Sequence, residues 1–245
     1  MLLALWSPKG GSGTSVLAAA CALTLARASR TSPVGSGELA ARLVDLDGDL
    51  PAIFGLGTEP DTGVADWLAA GPDAPGEALE RLTIDVATGV TLLPLGSAPG
   101  VLAPPAAAEA GAALAVALRD GPVPTIVDLG RADTPATRAV LEVADVSLVV
   151  LRPCYLALRR AVRAPAVARA VGAVLVEERE RALVQRDVVE VLDVAFVARM
   201  PWQRPIARAV DAGILARHLP ESLARAALQI LRSAGVVAGR RGAAA

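Results

Sequence analysis

The sequence predicts an α/β fold: a mostly parallel, twisted sheet with helices on both faces. Three observations carry this. Apolar runs such as Met1–Trp6, Thr125–Leu129 and Val146–Leu151 are continuous rather than alternating, as expected of strands buried on both faces. Longer Ala- and Leu-rich stretches separate the runs, as crossover helices do in a parallel sheet. Finally, 245 residues with 53% hydrophobic content are enough for a proper core and too apolar for a disordered chain.

The elements follow in order. Met1–Trp6 reads as the first buried strand and Ser12–Ala28 as the helix behind it. The Ser, Pro and Gly of Thr31–Gly37 make a turn-forming loop, and Ala41–Leu46 is a second strand ending in Asp45-Leu46-Asp47-Gly48-Asp49. Gly63–Ala70 reads as a short helix, Gly71–Gly76 as a loop and Val90–Leu95 as a strand. A Pro-rich loop at Ser97–Pro105 leads into an Ala-rich helix, Ala106–Arg119. After strand Thr125–Leu129 come helix Thr134–Val143, strand Val146–Leu151 and a basic helix over Tyr155–Val171, broken or kinked at Pro165. Strand Ala173–Val176, helix Gln185–Leu192, strand Ala195–Arg199 and a loop at Met200–Pro205 follow. Helices Ile206–Ala212 and Glu221–Ala234 close the chain. Residues 1–238 are read as one domain and 239–245 as a disordered tail.

Composition excludes several classes of function. A net charge of −1 argues against a globally basic nucleic-acid coat protein. Val16–Ala26, the longest apolar stretch, falls well short of the roughly 20 residues that span a bilayer. Met1–Trp6 has no charged segment before it and stops at Ser7-Pro8-Lys9, so no signal peptide is expected. Cys21 and Cys154 make no disulfide framework and fit a reducing compartment, so the expected location is the cytoplasm. Of 24 basic residues, 23 are Arg, leaving Lys9 as the single Lys. In a chain that avoids Lys so strongly, its compact ammonium stands where the planar guanidinium of Arg is not an equivalent.

The first strand runs into Ser7-Pro8-Lys9-Gly10-Gly11-Ser12-Gly13-Thr14-Ser15 and then a helix. A Gly-rich turn in that context lets backbone N–H groups surround phosphate oxygens, aided by the helix N-terminus. Against the P-loop pattern G-x-x-x-x-G-K-[ST], Pro8 replaces the first Gly and Thr14 the Lys, whereas Ser15 keeps the hydroxyl that ligates Mg²⁺.

Lys9-Gly10-Gly11-Ser12-Gly13-x-Ser15 resembles the deviant Walker A motif, K-G-G-x-G-K-[ST], of the ParA/MinD superfamily of P-loop NTPases. The resemblance implies that Lys9 reaches across a homodimer to the partner's phosphates. A small residue at position 14 is similar to the CpaE/TadZ branch, which positions pilus machinery. Val44-Asp45-Leu46-Asp47-Gly48-Asp49 is similar to the family's second-strand motif and implies that Asp47 orients the attacking water. Asp45 and Asp49 read more simply as loop caps, Asp49 above all. Thr125-Ile126-Val127-Asp128-Leu129-Gly130 resembles Walker B, with Asp128 holding Mg²⁺ through water beside Ser15. Met200–Gly213 is similar to the late segment whose backbone forms the adenine pocket, which assigns Pro201 and Trp202 to the nucleobase. Two departures stand out: Gln203 takes the place of the usual Asp, and Val176-Glu177-Glu178 stands where the family has a base-reading Asn. A carboxylate only accepts hydrogen bonds, and it adds charge near a polyanion.

The resemblance implies ATP or ADP with Mg²⁺ as cofactors and Gly10, Gly11, Ser12, Gly13, Thr14 and Ser15 as the phosphate cradle. It also implies a homodimer with partners from a positioning, secretion or pilus system, recruited to a pole, a septum or the inner membrane face. Without the second Lys, hydrolysis is expected to be slow or absent, because catalysis of phosphoryl transfer rests mainly on stabilising the transferred charge. The alternative is a working ATP-dependent dimerisation switch for DNA partition or membrane-associated positioning. For DNA, Arg159, Arg160 and Arg163 form a candidate basic face, although a solvated or dimer-facing helix is the simpler reading. Leu223–Ala234 lacks the Lys and aromatic residues of a membrane-surface helix and reads as core, so membrane association is not expected.

Overall fold

A computed structural model of the chain describes residues 1–31, 41–97, 104–178 and 181–237. The expected tail 239–245 and most of the loops expected at Thr31–Gly37 and Ser97–Pro105 lie outside the described residues.

The strands are β1 (Leu2–Trp6), β2 (Ala41–Asp45), β3 (Ile84–Ala87), β4 (Val90–Leu93), β5 (Thr125–Asp128), β6 (Val146–Leu151), β7 (Gly172–Glu177) and β8 (Ala195–Pro201). They form one sheet in the order β3-β4-β2-β5-β1-β6-β7-β8, parallel throughout except for β3 against β4. Because β1 lies between β5 and β6, the C-terminal ends of β2, β5, β1, β6, β7 and β8 share one edge of the sheet. In such folds ligands bind at that edge, where the strand order reverses. Each edge strand carries one extra residue relative to its neighbour, Val86 in β3 and Val197 in β8.

Helices cover both faces, as the continuous apolar strands require. In β1 all five residues are buried: Leu3 and Leu5 face one core, Leu2, Ala4 and Trp6 the other. The first core is closed by α1 (Thr14–Thr31), α2 (Leu50–Ile53), α9 (Arg204–Asp211) and α10 (Glu221–Ser233). The second is closed by α3 (Val64–Ala69), α4 (Glu77–Arg81), α5 (Pro104–Asp120), α6 (Pro135–Val143), α7 (Tyr155–Arg163) and α8 (Gln185–Leu192). Leu17 to Ala22 of α1 are completely buried, since small side chains let the helix sit between the sheet and α10. Burial also pushes the Cys21 thiol pKa upward, so this cysteine is a packing residue.

Several expected boundaries move for identifiable reasons. The first helix begins at Thr14 rather than Ser12, because Gly13 sits at φ +79° and cannot belong to a helix. α5 and α9 start before their expected first residues and take prolines into the first turn, where a missing N–H costs nothing. β8 extends through Pro201, into the expected loop. The basic helix ends at Arg163, and Pro165–Arg169 form a separate 3-10 turn, consistent with a break at Pro165. Three elements were not expected: α2, α4 and the antiparallel β3.

Candidate functional site

The loop after β1 is wound around a single carbonyl. Ser7 Oγ and Ser12 Oγ both donate to the Lys9 carbonyl oxygen, at 2.7 and 2.8 Å, and the Lys9 N–H donates back to Ser7 Oγ at 3.3 Å. Gly11 and Gly13 take positive φ, +74° and +79°, so the chain reverses tightly into the N-terminus of α1. Gly10 and Gly11 are exposed; Ser12, Thr14 and Ser15 are buried. The expected cradle of Gly10 to Ser15 therefore forms one wall of a cleft of about 670 Å³ at the C-terminal edge of the sheet. The same cleft takes in Asp47, Asp49, Pro201 and Trp202.

Lys9 and Asp128 do not line the cleft. Lys9 is half-buried, and no carboxylate lies within ion-pair distance of it among the described residues. Asp128 sits beneath the loop, completely buried. Its Oδ1 accepts the Gly130 N–H at 3.1 Å, whereas its Oδ2 is buried with no hydrogen-bond partner. Burial pushes its pKa up to about 7, reinforced by the carboxylates of Asp45 and Asp47; the Ser15 hydroxyl and the Gly130 N–H act in the opposite sense. An orphaned carboxylate oxygen beside a hydroxyl is a fit for a hard cation, and Mg²⁺ uses one or two carboxylates plus substrate phosphates. Among the described residues there is no group of three or more His, Cys, Asp or Glu able to cage a metal alone. Ser15 and Asp128 are thus the residues that could hold Mg²⁺ here, with other ligands from outside the protein.

Of the two aspartates read as loop caps, Asp45 is one and Asp49 is not. Asp45 is the loop cap: its carboxylate accepts N–H groups from Asp47 at 3.0 Å, Gly48 at 2.6 Å and Leu50 at 3.0 Å. Asp49 precedes α2 without making a side-chain cap and faces the cleft instead. The cap presents Asp47 at the mouth of the cleft, directly over Gly130. A Cβ on Gly130, at φ +55°, would lie 2.2 Å from Asp47 Oδ1, so only glycine admits this approach. The Gly130 carbonyl accepts the Ser7 N–H at 2.8 Å, tying the β5 turn to the start of the phosphate loop. Partial burial and Asp49 push the Asp47 pKa up, with Arg131 opposing.

The opposite wall comes from β6, β7, β8 and α9. Neither glutamate after β7 points a free charge at the site. Glu177 pairs with Arg199 at 2.9 Å, and Glu178 pairs with Arg152 at 2.9 Å and also with Arg181. The backbone there is fixed by the Trp202 N–H donating to the Glu177 carbonyl at 2.9 Å. Gln203, at the position of the usual Asp, accepts a hydrogen bond from Ser222 Oγ at 2.8 Å. Trp202 leaves 56% of its surface exposed at the cleft. Met200 lies against Gly13, where a Cβ would meet its Cε at 2.6 Å. With Ile53, Ile206 and Val210 it gives the cleft an apolar floor.

Sequence reasoning missed Arg131, Arg152 and Met200 as cleft residues. Arg131 could have been noticed as a cation three residues after the Walker B aspartate; Arg152, just past β6, belongs to no motif. Of the neighbouring arginines, Arg152 belongs to the cleft and Arg169 pairs with Glu142. Arg159, Arg160 and Arg163 remain exposed on α7, with no ion pair among the described residues.

The sequence matches no family model, and no curated protein matches it significantly. Solved structures do match. A ParA family ATPase from Chlorobium tepidum superposes with a TM-score of 0.73 at 19% identity, over 93% of this chain and 95% of that one. The septum site-determining protein MinD from Pyrococcus horikoshii, complexed with Mg-ADP, gives 0.72 at 18% identity over 95% and 94%. An ATP complex of a McdA variant from Cyanothece gives 0.66 at 16% identity over 97% of both chains. The fold is the one these ParA/MinD P-loop ATPases share.

Proposed function

We propose that this chain is a ParA/MinD-type positioning protein, nearest to the CpaE/TadZ branch. In this reading it binds Mg-nucleotide as a homodimeric scaffold and hydrolyses ATP slowly or not at all. The observation that supports the reading is the glycine-turned loop from β1 into α1, with Ser15 and the partly unpartnered Asp128 buried beside it and Thr14 where the family has its cis lysine. Structural relatives that carry Mg-ADP and ATP support nucleotide as the ligand.

Each residue then has a defined task. Backbone N–H groups of Gly10 to Ser15 and the α1 N-terminus bind phosphate oxygens. Ser15 and Asp128 hold Mg²⁺, which when bound neutralises phosphate charge. Asp47, over Gly130, would accept a hydrogen bond from a water in the cleft and so align it. Lys9, outside its own cleft and free of carboxylates, reaches the phosphates of a second copy. Pro201 and Trp202 take the base, the indole by stacking. Thr14 offers a hydroxyl but no charge, which removes the main stabilisation of the transferred phosphoryl group. Among the described residues no helix is long and apolar enough to cross a membrane; in this reading protein partners recruit the chain to a pole, septum or membrane face.

Calorimetry with ATP, ADP and GTP in the presence of Mg²⁺, with oligomeric state followed by light scattering in the same samples, tests this. The expected result is nucleotide binding by a protein already dimeric without it, turnover near background, and weaker ATP binding in Lys9→Ala. Rapid turnover with dimers that form only on ATP would replace this reading with the working switch.

A further inference from the structure

The cleft carries acidic residues at one end and lacks the charge a polyphosphate normally meets there. Asp47 and Asp49 face it, Asp128 lies beneath it, and Thr14 is neutral. Two cations line it, Arg131 and Arg152, and they differ in how firmly they are held. Arg152 is about one-third exposed, pairs with Glu178 at 2.9 Å and has its Nε buried without a partner. It stands at the end of β6, on the Trp202 side. Arg131 follows Gly130, whose N–H and carbonyl are both fixed, to Asp128 and to Ser7. The turn therefore delivers Arg131 to the Asp47 end of the cleft, close enough for its charge to act on the Asp47 carboxylate.

Arg131 is also free to change partner. Its side chain is 63% exposed, and its ion pair is with Asp133, at 3.1 Å and itself 54% exposed. Exposed pairs of this kind are weakly held, so a phosphate can displace the carboxylate with little loss. A cationic side chain brings a phosphate a full positive charge and N–H donors, which a threonine hydroxyl cannot offer.

We propose that Arg131 is the cis phosphate-binding cation of this site, contacting the β- and γ-phosphates and standing in for the lysine absent at position 14. This rests on the nucleotide-binding reading above and adds to it a residue on the β5 turn rather than in the phosphate loop.

The test is calorimetric titration of the full chain with Mg-ATP, Mg-ADP and AMP, comparing wild type with Arg131→Ala, Arg131→Lys and a distant charge control, Arg225→Ala. Arg131→Ala is expected to weaken Mg-ATP at least tenfold and AMP less than twofold. Arg131→Lys should stay within about threefold of wild type, and Arg225→Ala should equal it. Thermal melts check that the exposed substitutions leave the fold intact. If wild type binds Mg-ATP and Arg131→Ala binds it equally, or loses ATP and AMP alike, the assignment is wrong while the nucleotide reading stands. A lysine variant as weak as the alanine variant also overturns it. If wild type binds no nucleotide, both fall.

Discussion

On the β2 and β5 side of the cleft, functional atoms are positioned by the backbone. Three N–H groups fix Asp45, the Gly130 turn is fixed at both ends, and Asp47 sits where only a glycine leaves room. On the β6 to β8 side, positions are set by side-chain pairs: Arg152 with Glu178, Arg199 with Glu177, Gln203 with Ser222. The departures from the ParA/MinD pattern on the second wall fall on those pairs. Side-chain pairs can be exchanged by compensating substitutions, whereas a carboxylate held by three backbone amides has no substitute of the same reach. The phosphate loop spans both regimes: its glycines and serines keep the backbone path, and the charge at position 14 is gone.

The most severe way to break the first wall is Asp128→Asn. Mg²⁺-dependent nucleotide binding should fall by about 100-fold or more, because Asp128 is the buried carboxylate available to the ion. The same substitution should stabilise the metal-free protein above neutral pH. In the unfolded chain this carboxyl ionises near 3.8, and in the fold near 7. Between those values the folded state keeps a proton that the unfolded state has lost, so stability declines as pH rises through that window and then levels off. Thermal melts in chelator should show the variant's advantage small near pH 4 and at its full value by pH 8. An advantage independent of pH would sink the burial argument.

Gly130→Ala is the next test, on stability alone. Collision with Asp47 at a positive φ predicts a loss of about 1–3 kcal/mol. Gly10→Ala, with nothing within 4 Å of the added Cβ, should melt within about 1 °C of wild type. Equal melting temperatures for the two variants would show that the Asp47 contact is not fixed by the backbone as described.

The smallest effect belongs to the second wall. Trp202→Ala should weaken Mg-ATP by about 3- to 10-fold, the range expected for one exposed stacking surface, and leave stability unchanged because the indole is largely solvent-facing. Loss of binding on the scale of Asp128→Asn would mean that the walls are not divided as argued.

How much of this was legible in the sequence follows the same division. Asp128 was legible because it ends a continuous apolar strand, and the loop after β1 because glycine spacing dictates a backbone path; Asp47, two residues beyond β2, came only through the family resemblance. α2 and α4 have four and five residues, too few to show helical periodicity, and they exist because Leu50, Ile53 and Leu79 find space in cores built by other elements. β3 is half-exposed and short, and pairing with β4 rather than its own composition makes it a strand. That Asp45 alone caps the loop was not readable, since Asp45 and Asp49 stand in the same acidic run and only the turn's geometry selects which one meets the amides. The pairing of Glu177 with Arg199 depends on the β7–β8 register, which no local pattern encodes.

The extra residues in β3 and β8 bear on how copies of this chain can meet. A sheet ending in a straight, regular strand is a template on which another sheet can continue, growing into a ribbon or an aggregate. Here both ends are spoiled: Val86 and Val197 each interrupt the ladder, and charged Asp85 and Arg199 lie beside the interruptions, exposed to water. Eight strands are therefore a terminus in both directions. The sides of the sheet are closed to further strands, and the edge that holds the cleft is left open.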